Sequence, residues 1–310
     1  MRMNIEEARS LQDRTVRDFL KLAYMAIPFK KQVFCALKKV WVPPLKISRH
    51  LYFKGVFTVD VGERHYCVNH YGFDVETSIF WYGLTGAWEK ISMSAWIALC
   101  GESRVIVDIG ANTGVYSLVA KTLNPASQVY SFEPVQRVFE KLVANNRLNH
   151  YDTACQQSAV SNYDGEGIIY DLPTTHIYSV TLNKNMHSRH LIAAAQPTTV
   201  KATRLDTFMS SVGLKHADLV KIDVESHEAE VLEGMGEYLS SMPTLLLEVW
   251  NNDVGQRIEQ IVRKYDYLYF RTDEIQPFYL TEHIEKPESS EGYVNYLLCT
   301  PRIASHFGFV

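Results

Sequence analysis

The sequence predicts an α/β protein built on an open, mostly parallel sheet with helices on both faces. Three observations carry this expectation. From Arg104 onward, short apolar runs alternate with longer amphipathic stretches: VIVDIG precedes YSLVAKTLN, QVYSFEP precedes VFEKLVANNRLN, and DLVKIDVE precedes HEAEVLEGMGEYLSS. This is the pattern of β-α-β units. The runs VIVDI, LVKI and TLLLEV are nearly continuous in apolar residues, as strands are when helices cover both faces of a parallel sheet. Their polar residues stand at the strand ends, where an open sheet binds ligands.

Taken in order, the chain opens with a helical extension. Between Arg14 and Arg49, Lys21, Lys30, Lys31, Lys38, Lys39 and Lys46 are interleaved with apolar residues such as Phe29, Val33, Leu37 and Trp41, and Pro28 and Pro43-Pro44 interrupt the run. Two readings of this segment stand. A helix pair could pack its apolar side on the core and leave its lysines in solvent, or the basic, apolar mixture could touch an anionic membrane surface. Next, the alternation in FTVDVGERHYCVNHYG predicts a hairpin turning at Val61-Gly62-Glu63-Arg64, within a β-element from about Leu51 to Gly72. Trp81, Trp88 and Trp96 recur at mixed helical spacing between Glu76 and Cys100, which predicts two helices. The β-α units follow, ending with YLYF and YVNYLLCT, and are interrupted from Gly165 to Thr203 by irregular strands or a loop excursion. The expected division is a lead-in over residues 1–100 and a ligand-binding domain over 101–310.

Composition narrows the function. A net charge of -4 and an isoelectric point near 6.3 give no electrostatic case for binding nucleic acid. The five cysteines are scattered and form no CxxC pair, the usage of reduced thiols in a cytoplasm. No apolar run approaches the roughly 20 residues that cross a bilayer, and the start MRMNIEEARSLQ lacks the apolar core of a secretory signal. A soluble, cytoplasmic protein is expected, with peripheral membrane contact through residues 14–49 as its one qualification.

The strongest local motif is Asp108-Ile-Gly110-Ala-Asn112-Thr-Gly114, which ends a buried strand and opens a helix. Glycines there let backbone approach a ligand that a Cβ would exclude. Gly110 and Gly114 would make room for a nucleoside, Asp108 can pair with a ligand ammonium directly or through water, and Asn112 offers donor and acceptor. Glu133 ends the next strand, where a carboxylate can accept both hydroxyls of a ribose. A nicotinamide-dependent oxidoreductase uses similar parts. Its G-x-G-x-x-G fingerprint seats a pyrophosphate on a helix N-terminus, however, and here Asn112 occupies the second glycine position. His187 and His190 in MHSRH, and His65 and His70 around a strand, form no recognised ligand set with nearby carboxylates, and no metal is expected.

These residues resemble the FkbM-type methyltransferases. The resemblance rests on VIVDIGANTGVYSLVA, SFEPVQRVFEKLVANNRLN, SAVSNYDGEG, TRLDTF and LVKIDVESHEAEVLEGMGEYL followed by LLLEVW, in family order from about Arg104 to Thr300. It implies a class I methyltransferase fold: a Rossmann-like, seven-stranded, mostly parallel sheet with an antiparallel last strand, and S-adenosylmethionine across the strand ends. It further implies that Asp108, Gly110, Asn112 and Gly114 line the methionine and ribose side, that Glu133 holds the ribose, and that Ser158 and Ala159 lie near the adenine. Asp223 and Glu225 would face the methyl group and a hydroxylated acceptor, a sugar, glycan precursor or polyketide-like product. The family typically carries Gly-Ala between the glutamates of DVE-x-x-E, where this chain has Ser226-His227. A near-neutral reference pKa of about 6.5 makes His227 a third candidate base beside Asp223 and Glu225. Glu248, which ends TLLLEV, and the aromatic residues Trp81, Tyr82 and Trp88 are further neighbours of the expected cleft. A protein that keeps this fold without turnover is the alternative, since the departure falls in the acceptor region.

Overall fold

The computed structural model describes residues 24, 27–171, 196–290 and 292–309. His187 and His190, and the greater part of the segment 165–203, lie outside these residues.

Helix α1 (Lys30–Lys38) follows Pro28, and a short α2 (Leu45–Ser48) follows Pro44, consistent with proline's tolerance at helix starts. The expected hairpin forms from β1 (Gly55–Val61) and β2 (Arg64–His70), with Val61 opposite Arg64. The two predicted helices are α3 (Asp74–Tyr82) and α4 (Lys90–Cys100). The alternating units then run β3 (Val105–Ile109), α5 (Val115–Leu123), β4 (Gln128–Phe132), α6 (Gln136–Leu148) and β5 (Ala154–Gln156). A side sheet follows, from β6 (Ala159–Ser161), β7 (Gly165–Asp171) and β8 (Gln196–Arg204) in the order β6-β8-β7. The chain returns through α7 (Leu205–Ser211), β9 (Leu219–Ile222), α8 (Glu228–Gly234), a 3-10 turn (Gly236–Ser241) and β10 (Thr244–Val249). It closes with α9 (Asn252–Val262), β11 (Leu268–Thr272), β12 (Tyr279–Thr281), β13 (Val294–Cys299) and α10 (Pro301–His306).

The central sheet has the order β12-β11-β13-β10-β9-β3-β4-β5. Neighbours from β5 to β10 are parallel, and β13 enters antiparallel between β10 and β11. The seven expected strands are all present. An eighth, the three-residue β12, pairs antiparallel with β11 at the edge. Strands β3, β9, β10 and β13 are buried along their whole length, which explains their continuous apolar runs.

The lead-in and the sheet share one core. Phe53, Phe57, Phe80 and Trp96 belong to the same apolar cluster as Ile106, Leu118 and Val119, so the expected boundary near residue 100 passes through this cluster. Two asparagines add polar ties. The Asn149 side chain accepts the Cys67 N–H and donates to the Cys67 carbonyl, both at 2.7 Å. Asn145 accepts the Asn69 N–H at 3.0 Å and donates to the Thr113 carbonyl at 2.8 Å, joining the hairpin to the glycine loop.

Candidate active site

The direction of strand addition reverses at β3, between β4 on one side and β9 on the other, the place where open α/β sheets bind ligands. The Asp223 N–H donates to the Ile109 carbonyl at 3.0 Å, holding the two strand ends together. Gly110 sits at φ 77°, and a Cβ on it would lie 1.8 Å from the Asp223 carbonyl oxygen. No other residue fits there. The requirement for glycine therefore comes from the neighbouring strand as well as from the turn.

A cavity of about 330 Å³ opens above these ends. Of the sequence-predicted residues, Gly110, Asn112, Glu133, Ser158 and Ala159 line one part, while Asp223, Glu225, His227 and Glu248 line another. Asp108 and Gly114 are not among the lining residues. Asp108 is completely buried, and its Oδ2 accepts the Ser117 N–H at 3.1 Å and the Ser117 hydroxyl at 2.5 Å. Its Oδ1 has no partner among the described residues. In this geometry Asp108 anchors the first turn of α5. Gly114 (φ 93°) lets the loop pack on α6, since an added Cβ would meet Leu142 Cδ1 at 2.7 Å.

Glu133 is fixed by the backbone on both sides. Its Oε2 accepts the Asn112 N–H at 3.1 Å and its Oε1 accepts the Val135 N–H at 2.9 Å. Burial pushes its pKa up to about 7, and the two N–H donors oppose that rise. Each oxygen retains a second lone pair for a ligand hydroxyl.

The opposite part of the cavity is crowded with acids. Carboxylate oxygens of Asp223, Glu225 and Glu248 lie within 4.8 Å of one another, a spacing that could hold a cation. Burial, followed by the charges of Asp223 and Glu225, holds the Glu248 pKa well above the carboxylate range, and the Trp250 indole N–H donates to this group. Lys221 donates to Asp223 Oδ2 at 2.8 Å and lies 4.6 Å from the centre of the Tyr116 ring. Burial opposes its charge, but Asp223, Asp108 and Glu89 together raise its pKa.

The turn carrying these acids is strained. Glu225 and Ser226 adopt φ values of 54° and 70°, a left-handed pair that residues with a Cβ adopt at a cost. Ser226 thus takes a glycine-like conformation at the point where the family typically has glycine. The cap position of the next helix falls to His227, without a side-chain cap bond. The Glu228 side chain folds back instead, its Oε1 accepting the Val224 and Ser226 N–H groups at 3.2 and 3.1 Å. His227 faces the cavity, with Nε2 2.9 Å from Ser161 Oγ and Nδ1 3.5 Å from Glu230. Burial lowers its pKa against the pull of Glu230, leaving a neutral imidazole near pH 7.

Several lining residues were missed by sequence reasoning: Glu89, Trp250, Tyr293 and the stretch Phe73–Val75. Glu89 is buried and receives the Tyr116 hydroxyl at 2.5 Å, and burial pushes its pKa up to about 7. In sequence it looks like an ordinary acid before a helix. Trp250, two residues past Glu248, was the most accessible of the four. Among the aromatic candidates Trp88 lines the cavity, while Trp81 is buried beside Phe34 and Tyr82 donates to the Pro43 carbonyl. His70 is packed against Phe53, and burial drives its pKa down to about 3.

A sheet of this order, with β13 reversed between β10 and β11 and a cleft where the order turns, defines the class I methyltransferase fold. Residues 108–269, just over half of the chain, match the methyltransferase FkbM domain, and the chain belongs to this family. Similar curated proteins include hexuronic acid methyltransferase AglP of Haloferax volcanii, 25% identical over 48% of this chain and 56% of that one. The 2-O-methyltransferase NoeI of Sinorhizobium fredii is 30% identical over 44% of this chain and 59% of its own length. The 31-O-demethyl-FK506 methyltransferase FkbM of Streptomyces tacrolimicus is 28% identical over 42% and 59%. The chain thus matches little more than half the length of these three relatives.

Proposed function

We propose that this chain transfers the methyl group of S-adenosylmethionine to a hydroxyl oxygen of a sugar, glycan precursor or polyketide-like acceptor. The observation that carries the reading is the single cavity in which Gly110, Asn112, Glu133, Ser158 and Ala159 meet the acids Asp223, Glu225 and Glu248. Family membership supports the chemistry. The names of the similar proteins, which include a hexuronic acid methyltransferase, a 2-O-methyltransferase and a 31-O-demethyl-FK506 methyltransferase, support oxygen as the target.

The residues present fit the donor. Glu133, with its remaining lone pairs, suits a vicinal diol. Ser158 and Ala159, beside the apolar Val160 and Ile169, suit an adenine, and Gly110 keeps the floor free of side chain. When bound, the donor supplies a sulfonium-activated methyl group. The chain then has two tasks. Positioning the hydroxyl oxygen in line with the methyl carbon can contribute on the order of 7–11 kcal/mol in favourable systems. The second task is to take the hydroxyl proton as the oxygen–carbon bond forms and the carbon–sulfur bond breaks, its electron pair leaving with sulfur. Asp223 and Glu225 line the cavity as acceptors for that proton, and general-base help of this kind supplies roughly 10²–10⁴-fold. His227 bonds to Ser161 and orders the rim beside them.

Calorimetric titration with S-adenosylhomocysteine, with NADH as control, tests the donor site. Binding of the first alone is expected, and binding of NADH alone would replace the reading with an oxidoreductase. With a panel of acceptors, O-methyl products are expected, whereas N-methyl products alone would overturn the assignment to oxygen.

A further inference from the structure

We propose that the face built by residues 27–54 docks on an anionic lipid surface. Charge is the first argument. Seven Lys and Arg residues and no Asp or Glu fall between positions 27 and 54, in a chain whose net charge is -4. Apolar exposure is the second. Among the described residues, eight of the fourteen exposed large apolar side chains lie between 27 and 47, with Phe29 at 72% and Val40 at 83% exposure. A face combining exposed cations with exposed apolar side chains, and contributing no acid between 27 and 54, matches a layer with an apolar interior and anionic headgroups. There apolar side chains enter the acyl boundary while lysine heads remain at the phosphates.

The face is held rigidly against the body. Phe34 is buried 5.5 Å from Trp81, ring centre to ring centre. Lys38 donates to the Phe80 carbonyl, and the Tyr82 hydroxyl that donates to Pro43 lies 2.8 Å from Ser48 Oγ. With Phe34 spent on the core, Val33, Val40 and Trp41 remain outside. The segment therefore does both things that its sequence allowed: one side of α1 packs inward and the other stays bare.

Continuity with the active site supports the same docking. A groove bordered by Leu45, Lys46 and Arg49 shares Asp74, Val75 and Trp88 with the active-site cavity. An amphiphilic acceptor held in the lipid layer would meet this groove first. That step rests on the proposed transfer reaction, while the docking does not.

The test is cosedimentation of the full chain with phosphatidylcholine vesicles, with and without phosphatidylserine, alongside S-adenosylhomocysteine titration of the same preparations. Partition to the phosphatidylserine vesicles is expected, with release at high salt and a blue shift in tryptophan emission that Trp41→Phe removes. Lys31→Gln and Lys39→Gln should each weaken partition about five-fold, the equivalent of about 1 kcal/mol per basic residue. Val40→Ser with Trp41→Ser should also weaken it, and all these variants should keep their affinity for S-adenosylhomocysteine. No partition of the intact chain, or equal partition to both vesicle types, would overturn the proposal. So would a stable dimer that Val40→Ser with Trp41→Ser dissociates. Loss of S-adenosylhomocysteine binding by the intact chain would count against the methyl-transfer reading alone.

Discussion

Glu133 makes a residue-scale prediction with a definite sign. Its carboxyl is buried, its pKa is raised to about 7, and the ionised form is the better acceptor for two hydroxyls. Donor affinity should therefore be greatest above pH 7 and fall as Glu133 takes up its proton, by up to about tenfold per pH unit, the limit for one group. Calorimetry with S-adenosylhomocysteine across this range should find the slope in the parent chain and lose it in Glu133→Gln. That variant should also bind more weakly at high pH, by roughly 1.5–3 kcal/mol, the scale of hydrogen bonds to a charged group. A flat profile in the parent chain would remove Glu133 from the ribose. At the same scale, the family departure at Ser226-His227 was visible in the sequence, but its consequence was not. Only the three-dimensional structure reveals that Ser226 holds φ 70° with a buried hydroxyl that has no partner among the described residues, and that His227 is turned toward Ser161.

Among the elements, the junction of β3 with β9 is the most tightly specified. Gly110→Ala would drive a methyl group into the Asp223 carbonyl and hold alanine at a positive φ, an overlap that forces the strand ends apart. We expect a loss of at least about 3 kcal/mol in urea unfolding, at the upper end of ordinary point substitutions, and loss of donor binding in whatever folds. A mild effect would mean that the loop can move away. This junction also illustrates what sequence could convey. Strand β3, its glycine loop and Glu133 are contiguous or one β-α unit apart, and periodicity with punctuation fixes them locally. Glu89, Trp250 and Tyr293 reach the cavity from just outside the ends of α4, β10 and β13, by tertiary routes that leave no periodic trace. The edge strand β12 escaped for a related reason, because three residues are too few to establish an alternation.

At the scale of the whole molecule, buried carboxyls set the response to pH. Burial raises Glu76, Glu89 and Glu133 to about 7 and Glu228 to about 8. A carboxyl raised in the folded state binds its proton more tightly there than in the unfolded chain. Its contribution is therefore complete below the unfolded pKa, about 4.3 for Glu, and is lost as pH rises through the folded value. The thermal midpoint should fall between about pH 5 and about pH 8. Glu228→Gln, which keeps an acceptor for the Val224 and Ser226 N–H groups, should blunt that fall by on the order of several degrees. An equal fall in both proteins would absolve Glu228. Among the described residues no helix is long and apolar enough to cross a membrane. The family match begins at Asp108, yet Asn145 and Asn149 each accept a backbone N–H of the hairpin that precedes it. Severed at the family boundary, the remainder would lose the N–H donors of both asparagine oxygens and bare a flank along α5 and α6. What is inherited in common is thus smaller than what can stand alone.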